Sequence, residues 1–592
     1  MKTLIAHSAI ATAIGLMVAG STLAIPLTAQ AQVPAVANNT VAPPLTALDA
    51  QFRAIADEEW AWRSQEMPSR GSARFPDVSA EGQARRLAYW LNVQQRLNAI
   101  SLNDLSPQER TNYSVYKHQI DSFVEDIQFG LYEMPFNADS SFWSGVSGMA
   151  NGTFGSVADY ERYLNRLRAA PAHFDQQIVN MRAGIARGFV QPREALSGRD
   201  ISISTISEET NPVENQLYGP FKFMSGISEA DQQRLRAEAV QVIGQIAVPA
   251  FQNLLTFYRS EYLPATRTTL GADKLPNGEA FYQSQIRQYT SVDMTPDEIH
   301  QIGLAEVARI RAEMETVMRS TGWTGTFNEF TRFLKTDKQF TYDKPEHLLW
   351  HAAWVVKKVD GKMAQYFELQ PRQTFDVSEI PANIAPFYTA GRGNCSFNTY
   401  DLPSRPRYNI PALTVHECNP GHAWHGKMRS ELPALPAWRL GANISAFGEG
   451  WGLYTEKLGV EMGVYENAYE DFGRLNYEMW RAARLVIDTG LHSKGWSRDQ
   501  ALSYLTNNTA LSDHEIRTEI DRYITWPGQA LAYKLGQIEI IRLRAKAEAE
   551  LGSNFDIRKF HDKLIGLIVA TIPAMTAEME AFITEQKAEA AR

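Results

Sequence analysis

From about residue 45 to the end of the chain, apolar residues recur at three- and four-residue spacing, the period of a helix that buries one face. Residues 83–100, 160–185 and 229–262 carry the pattern most clearly. Thr295-Pro296-Asp297-Glu298 is a helix start, with a threonine cap, proline in the first turn and glutamate three residues after the cap; its helix is predicted to run to about Gly322. Further helices are predicted over 444–462, 465–492, 513–551 with a break at Trp526-Pro527-Gly528, and 556–585. Strand signals are sparse, the best being 339–342 and the alternating 395–400. The fold class is therefore mainly α with a small β element, and no repeat at solenoid spacing is present.

The 592 residues suffice for a large core, and 45–592 is read as one helical domain. A net charge of -9 without a basic stripe argues against a nucleic-acid partner. Residues 1–31 combine Lys2, an apolar run over 4–24 and the small-residue site Ala29-Gln30-Ala31, which reads as a secretory signal peptide cleaved near Ala31. His7, Ser8 and Thr12 interrupt the run, so a stable membrane anchor is disfavoured. No cysteine lies near the cleavage point, which disfavours a lipid anchor there. Residues 32–44 read as a flexible leader, and the location as periplasmic or secreted. The two cysteines, Cys395 and Cys418, either pair in that oxidising compartment or stay as small buried thiols.

Three of the twelve histidines and a glutamate fall in Val415-His416-Glu417-Cys418-Asn419-Pro420-Gly421-His422-Ala423-Trp424-His425. Neutral imidazoles suit zinc, and a neighbouring carboxylate can take a proton from a water that the ion polarises. On a regular helix His416 and His422 stand about 120° apart, too far for one ion. A bulge at Asn419-Pro420-Gly421 would restore an effective spacing of four. His422 with His425 is the rival pair, about 60° apart, but it leaves His416 and Glu417 unexplained.

Catalytic zinc takes three protein ligands and keeps an open position. Glu449, in Gly448-Glu449-Gly450-Trp451-Gly452, is the best third ligand, because its flanking glycines permit close backbone approach. Glu456 is the runner-up or a partner to a ligating histidine. Tyr523 and Tyr533, either side of the proline-glycine break, are candidates to steady an oxyanion or hold substrate. His492 is a candidate substrate group, and Arg517 and Arg522 are candidates for a peptide carboxylate.

At these residues the chain resembles the bacterial family catalogued as domain of unknown function 885. The resemblance spans nearly the whole mature chain: Asp57 to Arg63, Thr295 to His300, Pro411 to Glu417, Pro420-Gly421-His422, Glu449-Gly450-Trp451, Asp488 to His492, and Arg522-Tyr523 with Pro527 to Ala530. More distantly, the order of elements is similar to the gluzincin peptidases, including the angiotensin-converting and thimet oligopeptidase groups. That likeness implies a two-lobed helical metallopeptidase-like fold with a deep central groove, zinc held by His416, His422 and Glu449, Glu417 as base and Tyr523 as oxyanion donor. The histidine spacing is longer than the gluzincin one, and Ala423 stands where family relatives often carry another histidine.

The expectation is an exported zinc hydrolase of short peptides, of carboxypeptidase or dipeptidase type, with its metal site in 411–533. Hydrolysis of another amide linkage, or a periplasmic binding protein with a structural metal site, are the alternatives.

Overall fold

The computed structural model describes residues 45–68, 71–380, 391–392, 394–431 and 435–592; the expected signal peptide and leader lie outside the described residues. Helices dominate, and the small β element is present. The N-terminal layer is α1 (Ala47–Glu66), α2 (Ala80–Asn98) and α3 (Pro107–Phe129), packed around Phe52, Trp90 and Tyr116. A separate core joins α4 (Val157–Arg187) to α5 (Glu229–Ala265) through Phe174, Phe251 and Tyr258. By length and composition α5 could cross a membrane, but half of its most apolar window is buried within the protein.

Next come α6 (Pro296–Ser320) and α7 (Pro345–Asp360). The start of α6 is the expected capping box: Thr295 Oγ1 accepts the Glu298 N–H, and the Glu298 carboxylate accepts the Thr295 N–H. Residues 339–342 do not form a strand. Asp337 accepts the Gln339 N–H and nucleates a 3₁₀ turn at Lys338–Phe340, a local bond that overrides the alternating pattern. The sheet has three two-residue strands, β1 (Ser378–Glu379), β2 (Gly391–Arg392) and β3 (Ser396–Phe397), in the order β1-β3-β2, with β1 parallel and β2 antiparallel to β3. Of 395–400 only Ser396 and Phe397 are strand.

The catalytic-candidate half is built from α8 (Ile410–Glu417), α9 (His422–Glu431), α10 (Ser445–Glu461), α11 (Ala468–Ser493), α12 (Asp513–Thr525) and α13 (Ala532–Leu551), followed by α14 (Ile557–Gly566) and α15 (Ile572–Ala590). The single helix expected over 556–585 is thus two. Thr571 caps the second by accepting the Ala574 N–H, and Pro573 cannot donate into a continuing ladder. Helix α11 is the central strut, with every residue from Phe472 to His492 buried. Its charges are therefore paired: Glu478 accepts from Lys534 and Arg309, Arg484 donates to Glu519, and Asp488 accepts from Tyr282 and the Gly528 N–H.

Helices α10 and α13 cross at bare backbone. A Cβ on Gly536 would come within 1.9 Å of the Ala446 carbonyl oxygen, and one on Gly450 within 2.6 Å of the Gly536 backbone. Gly536→Ala should therefore lower stability by about 3 kcal/mol through forced separation of the helices. Gly448→Ala, which meets nothing within 4 Å, should instead stabilise by about 0.5 kcal/mol through the lost freedom of glycine in the unfolded chain. Urea midpoints of the two variants check the opposite signs.

Buried histidines give the fold a pH dependence. His492 Nδ1 accepts the Ala272 N–H and Nε2–H donates to the Tyr523 carbonyl; His561 donates from Nδ1 to the Tyr366 carbonyl and accepts the Tyr454 hydroxyl at Nε2. Burial pushes their pKa down to about 4 and about 3. Unfolded imidazoles titrate near 6.5, so between 6.5 and 4 the unfolded chain binds more protons and stability is lost as the pH is lowered. The contribution is complete above 6.5. Melting temperatures at pH 7 and 5 should differ accordingly, with a shallower slope in His492→Gln; equal slopes in the two proteins would refute the assignment.

Candidate metal centre

Helix α8 ends at Glu417, the chain turns through Cys418-Asn419-Pro420-Gly421, and α9 begins at His422. The expected bulge within one helix is thus a complete break between two. Gly421 folds onto the end of α8, where a Cβ would lie 1.8 Å from the His416 carbonyl oxygen, so only glycine fits. Three contacts fix the turn: the Cys395–Cys418 disulfide, the Trp451 indole donating to the Pro420 carbonyl at 2.9 Å, and the Asn419 amide donating to Asp360 at 2.7 Å. The Asn419–Pro420 peptide is cis.

This turn brings the two imidazoles together, with ring centres 4.8 Å apart and planes at 85°. Glu449 of α10 joins them. Its Oε2 is 3.2 Å from His422 Nε2 and 3.5 Å from His416 Nε2, and one ligand atom from each of the three residues lies within 4.8 Å of the others. Glu456, two turns later on the same helix, takes His416 Nδ1 at 2.8 Å. It stands behind the imidazole, outside the ligand group. The glycines of α10 divide the work: Gly450 meets α13, Gly452 makes room for the His416 ring, to which a Cβ would come within 2.8 Å, and Gly448 meets nothing.

The electrostatics suit a cation. Burial alone would raise the Glu449 carboxyl, yet the flanking His422 and His416 hold it well below the usual range. Burial would lower His416, but Glu449 and Glu456 raise it to about 9. Glu417 is buried, which raises its carboxyl above the usual value, and its Oε2 has no hydrogen-bond partner among the described residues. Gly391 of β2 passes over it, where a Cβ would be 2.9 Å from Glu417 Cγ. His425 stays out of the ligand group; its Nε2 is buried without a partner, and burial lowers its pKa to about 4.

A cavity of about 570 Å³ opens on this group, lined by His416, Glu417, His422, Glu449, Arg522 and Tyr533 among others. Tyr533 is 6.4 Å from His416, ring centre to ring centre, and its hydroxyl accepts from Arg522 at 3.2 Å. Tyr523 is not brought to the cavity. Its hydroxyl accepts from Trp480 and Arg484 and donates to Glu519, which exhausts its capacity. His492 is likewise away from the cavity, with both ring nitrogens used by backbone groups. Arg517 is exposed on α12 and does not line it.

Sequence reasoning passed over Arg481 and Arg484 of α11, Arg429 of α9, and the Ile568-Val569 corner between α14 and α15, all of which line the cavity. Charged residues recurring within the Met479 to Leu485 stretch were the available signal.

The fold recurs in solved structures. A candidate lipoprotein from Colwellia psychrerythraea is 25% identical, with a TM-score of 0.82 over 91% of this chain and 99% of that one. A candidate lipoprotein of unknown function from Shewanella oneidensis is 18% identical, with a TM-score of 0.64 over 90% of this chain and 100% of that one, a likeness of fold alone. No curated protein matches the sequence. The family described as bacterial protein of unknown function (DUF885) matches residues 64–567, and the chain belongs to that family.

Proposed function

We propose that the protein is an exported zinc-dependent hydrolase of short peptides, of exopeptidase type and related in its chemistry to the gluzincins. The observation that carries this reading is the convergence of His416, His422 and Glu449 within 4.8 Å at a cavity also lined by Glu417, whose Oε2 has no described hydrogen-bond partner. Two imidazoles and one carboxylate are a donor set suited to zinc, and His416 with Glu456 at its far nitrogen forms the carboxylate-histidine arrangement that fixes a ligand's tautomer. Zinc bound there supplies Lewis acidity to a substrate carbonyl and to water.

The chain's own residues do the rest. Glu417 Oε2 is free to take a proton from the attacking water and return it to the departing amine nitrogen. Glu456 keeps the His416 proton on Nδ1, leaving Nε2 as the ligand atom. Tyr533, rather than Tyr523, is the oxyanion donor: no described residue accepts its proton, and Arg522 at its oxygen favours donation. A structural zinc site would need a fourth protein ligand, and neither His425 nor Glu456 stands in the ligand group, which favours a catalytic site over the binding-protein alternative. Export is supported by the leader sequence, by the disulfide and by the description of the structural relatives as candidate lipoproteins.

Zinc should be stoichiometric by elemental analysis in wild type and in Glu417→Gln, while cleavage of a mixed peptide library falls by about 10²- to 10⁴-fold in the variant. Zinc bound with no cleavage by either protein would sink the reading. Tyr533→Phe should lower kcat by about 10²-fold, whereas Tyr523→Phe should lower stability and leave kcat nearly unchanged; the reverse pattern would return the oxyanion role to Tyr523.

A further inference from the structure

Beside the metal group the cavity wall is cationic. Arg481 and Arg484 come from one face of α11, Arg522 from the end of α12 and Arg429 from α9. Trp480 underlies the first two, with guanidinium carbons 4.1 and 4.5 Å from its ring centre, and Arg484 also stacks 4.3 Å over Tyr533. Arg484 is 1% exposed and Arg481 3%.

Guanidinium groups at that depth need acceptors for their N–H donors, because a buried donor left unpaired is costly. Here the acceptors run short. Arg484 uses Nε on Tyr523 and Nη2 on Glu519, and its Nη1 has no partner among the described residues. Arg481 reaches the Tyr477 carbonyl at 3.4 Å and stands 3.6 Å from Glu456, with Nε unpartnered. Arg522 uses both Nη atoms on Glu519, Gln529 and Tyr533 and leaves Nε unpartnered.

Charge points the same way. Arg484 and Arg522 share the single carboxylate of Glu519, Glu456 is already bonded to His416, and Asp139 lies on the wall near Arg522. Arg429 donates to the Ala442 carbonyl and forms no described ion pair. Outside Glu417 and Glu449, which would balance a divalent ion, four guanidiniums meet three carboxylates. One positive charge is left over, together with several unused donors.

We propose that this wall, centred on Arg484, holds the free α-carboxylate of a peptide substrate, so that the enzyme acts at the C-terminal end of peptides. The proposal rests on the peptide-hydrolase reading for its reaction: the amide C–N bond near the carboxylate is broken, one water is consumed, its hydroxyl goes to the carbonyl carbon and its proton to the released amine. A carboxylate supplies the missing negative charge and accepts paired N–H donors; a carboxamide supplies neither.

The test is calorimetric titration of zinc-loaded Glu417→Gln protein with N-acetyl-Ala-Ala-Phe and with its C-terminal amide, paired with cleavage of both by wild type. The acid should bind on the order of 10- to 100-fold more tightly than the amide, and Arg484→Gln should narrow that ratio towards one. Equal affinities, or failure of both to bind, overturn the proposal; because this comparison leaves Arg484 in place, it decides even where Arg484→Gln fails to fold. Preferential binding of the acid without cleavage of either peptide by wild type keeps the carboxylate site and removes the hydrolase reading. Cleavage of both with equal affinity and equal kcat/KM does the opposite.

Discussion

The contact on which the site depends is the seating of the His416 ring on Gly452. Three ring atoms lie where a Cβ would come within 2.8 to 3.0 Å, so at this contact the imidazole alone separates α8 from the α10 backbone. That approach sets Glu449, almost one turn before Gly452, at Nε2 and Glu456, about one turn after it, at Nδ1. One helix thereby grips both nitrogens of one imidazole, which fixes the ring's orientation and leaves one edge for an ion. The same economy recurs at the other boundaries. Gly450 rests on Gly536, wedging α10 between α8 and α13, and Gly421 lies on the carbonyls that end α8. A methyl group at Gly450 would push α10 off α13, and one at Gly452 or Gly421 would strike His416 itself.

Much of this was legible in the chain for local reasons. The Thr295 capping box, the long amphipathic helices and the break at Trp526-Pro527-Gly528 follow from bonds within a few residues, and they stand where those bonds put them. His416, His422 and Glu449 were legible because unusual residues surround them: proline and glycine between the histidines, glycines about the carboxylate. What helical period could not supply was the manner of the turn. A two-residue bulge and a full break both bring His422 back to His416, and only the packing of Gly421, Trp451 and the disulfide selects the break.

The choice between tyrosines was hidden for a different reason. Tyr523 and Tyr533 flank the same break, but Glu519, one turn before Tyr523, is fully buried and must be satisfied, so it takes the Tyr523 proton and the Arg484 cation. Tyr533, on the following helix, carries no such obligation. His492 was misread through the same blindness to tertiary partners, since its two nitrogens answer the backbone of Ala272 and Tyr523. Arg481 and Arg484 escaped notice because α11 is buried on every side, and a helix without a solvent face has no polar stripe from which functional residues stand out.

Both halves of the cavity are electrostatically unfinished without guests, in opposite senses. At the metal group Glu449 and Glu456 raise the pKa of His416 to about 9, so positive charge is favoured there and a metal at Nε2 would compete with a proton. At the arginine wall the surplus is positive, and the unpaired atoms are donors. Arg484 and Glu417 line one cavity, so a peptide bound with its terminal carboxylate against Arg484 would present its last amide bonds to the space that Glu417 faces, where Oε2 is a buried acceptor without a described donor. Neither region alone specifies a hydrolase. On the proposed reading, an anion-seeking wall in the same cavity as a cation-seeking cluster and the Glu417 carboxylate would couple recognition of a chain end to the chemistry that removes it.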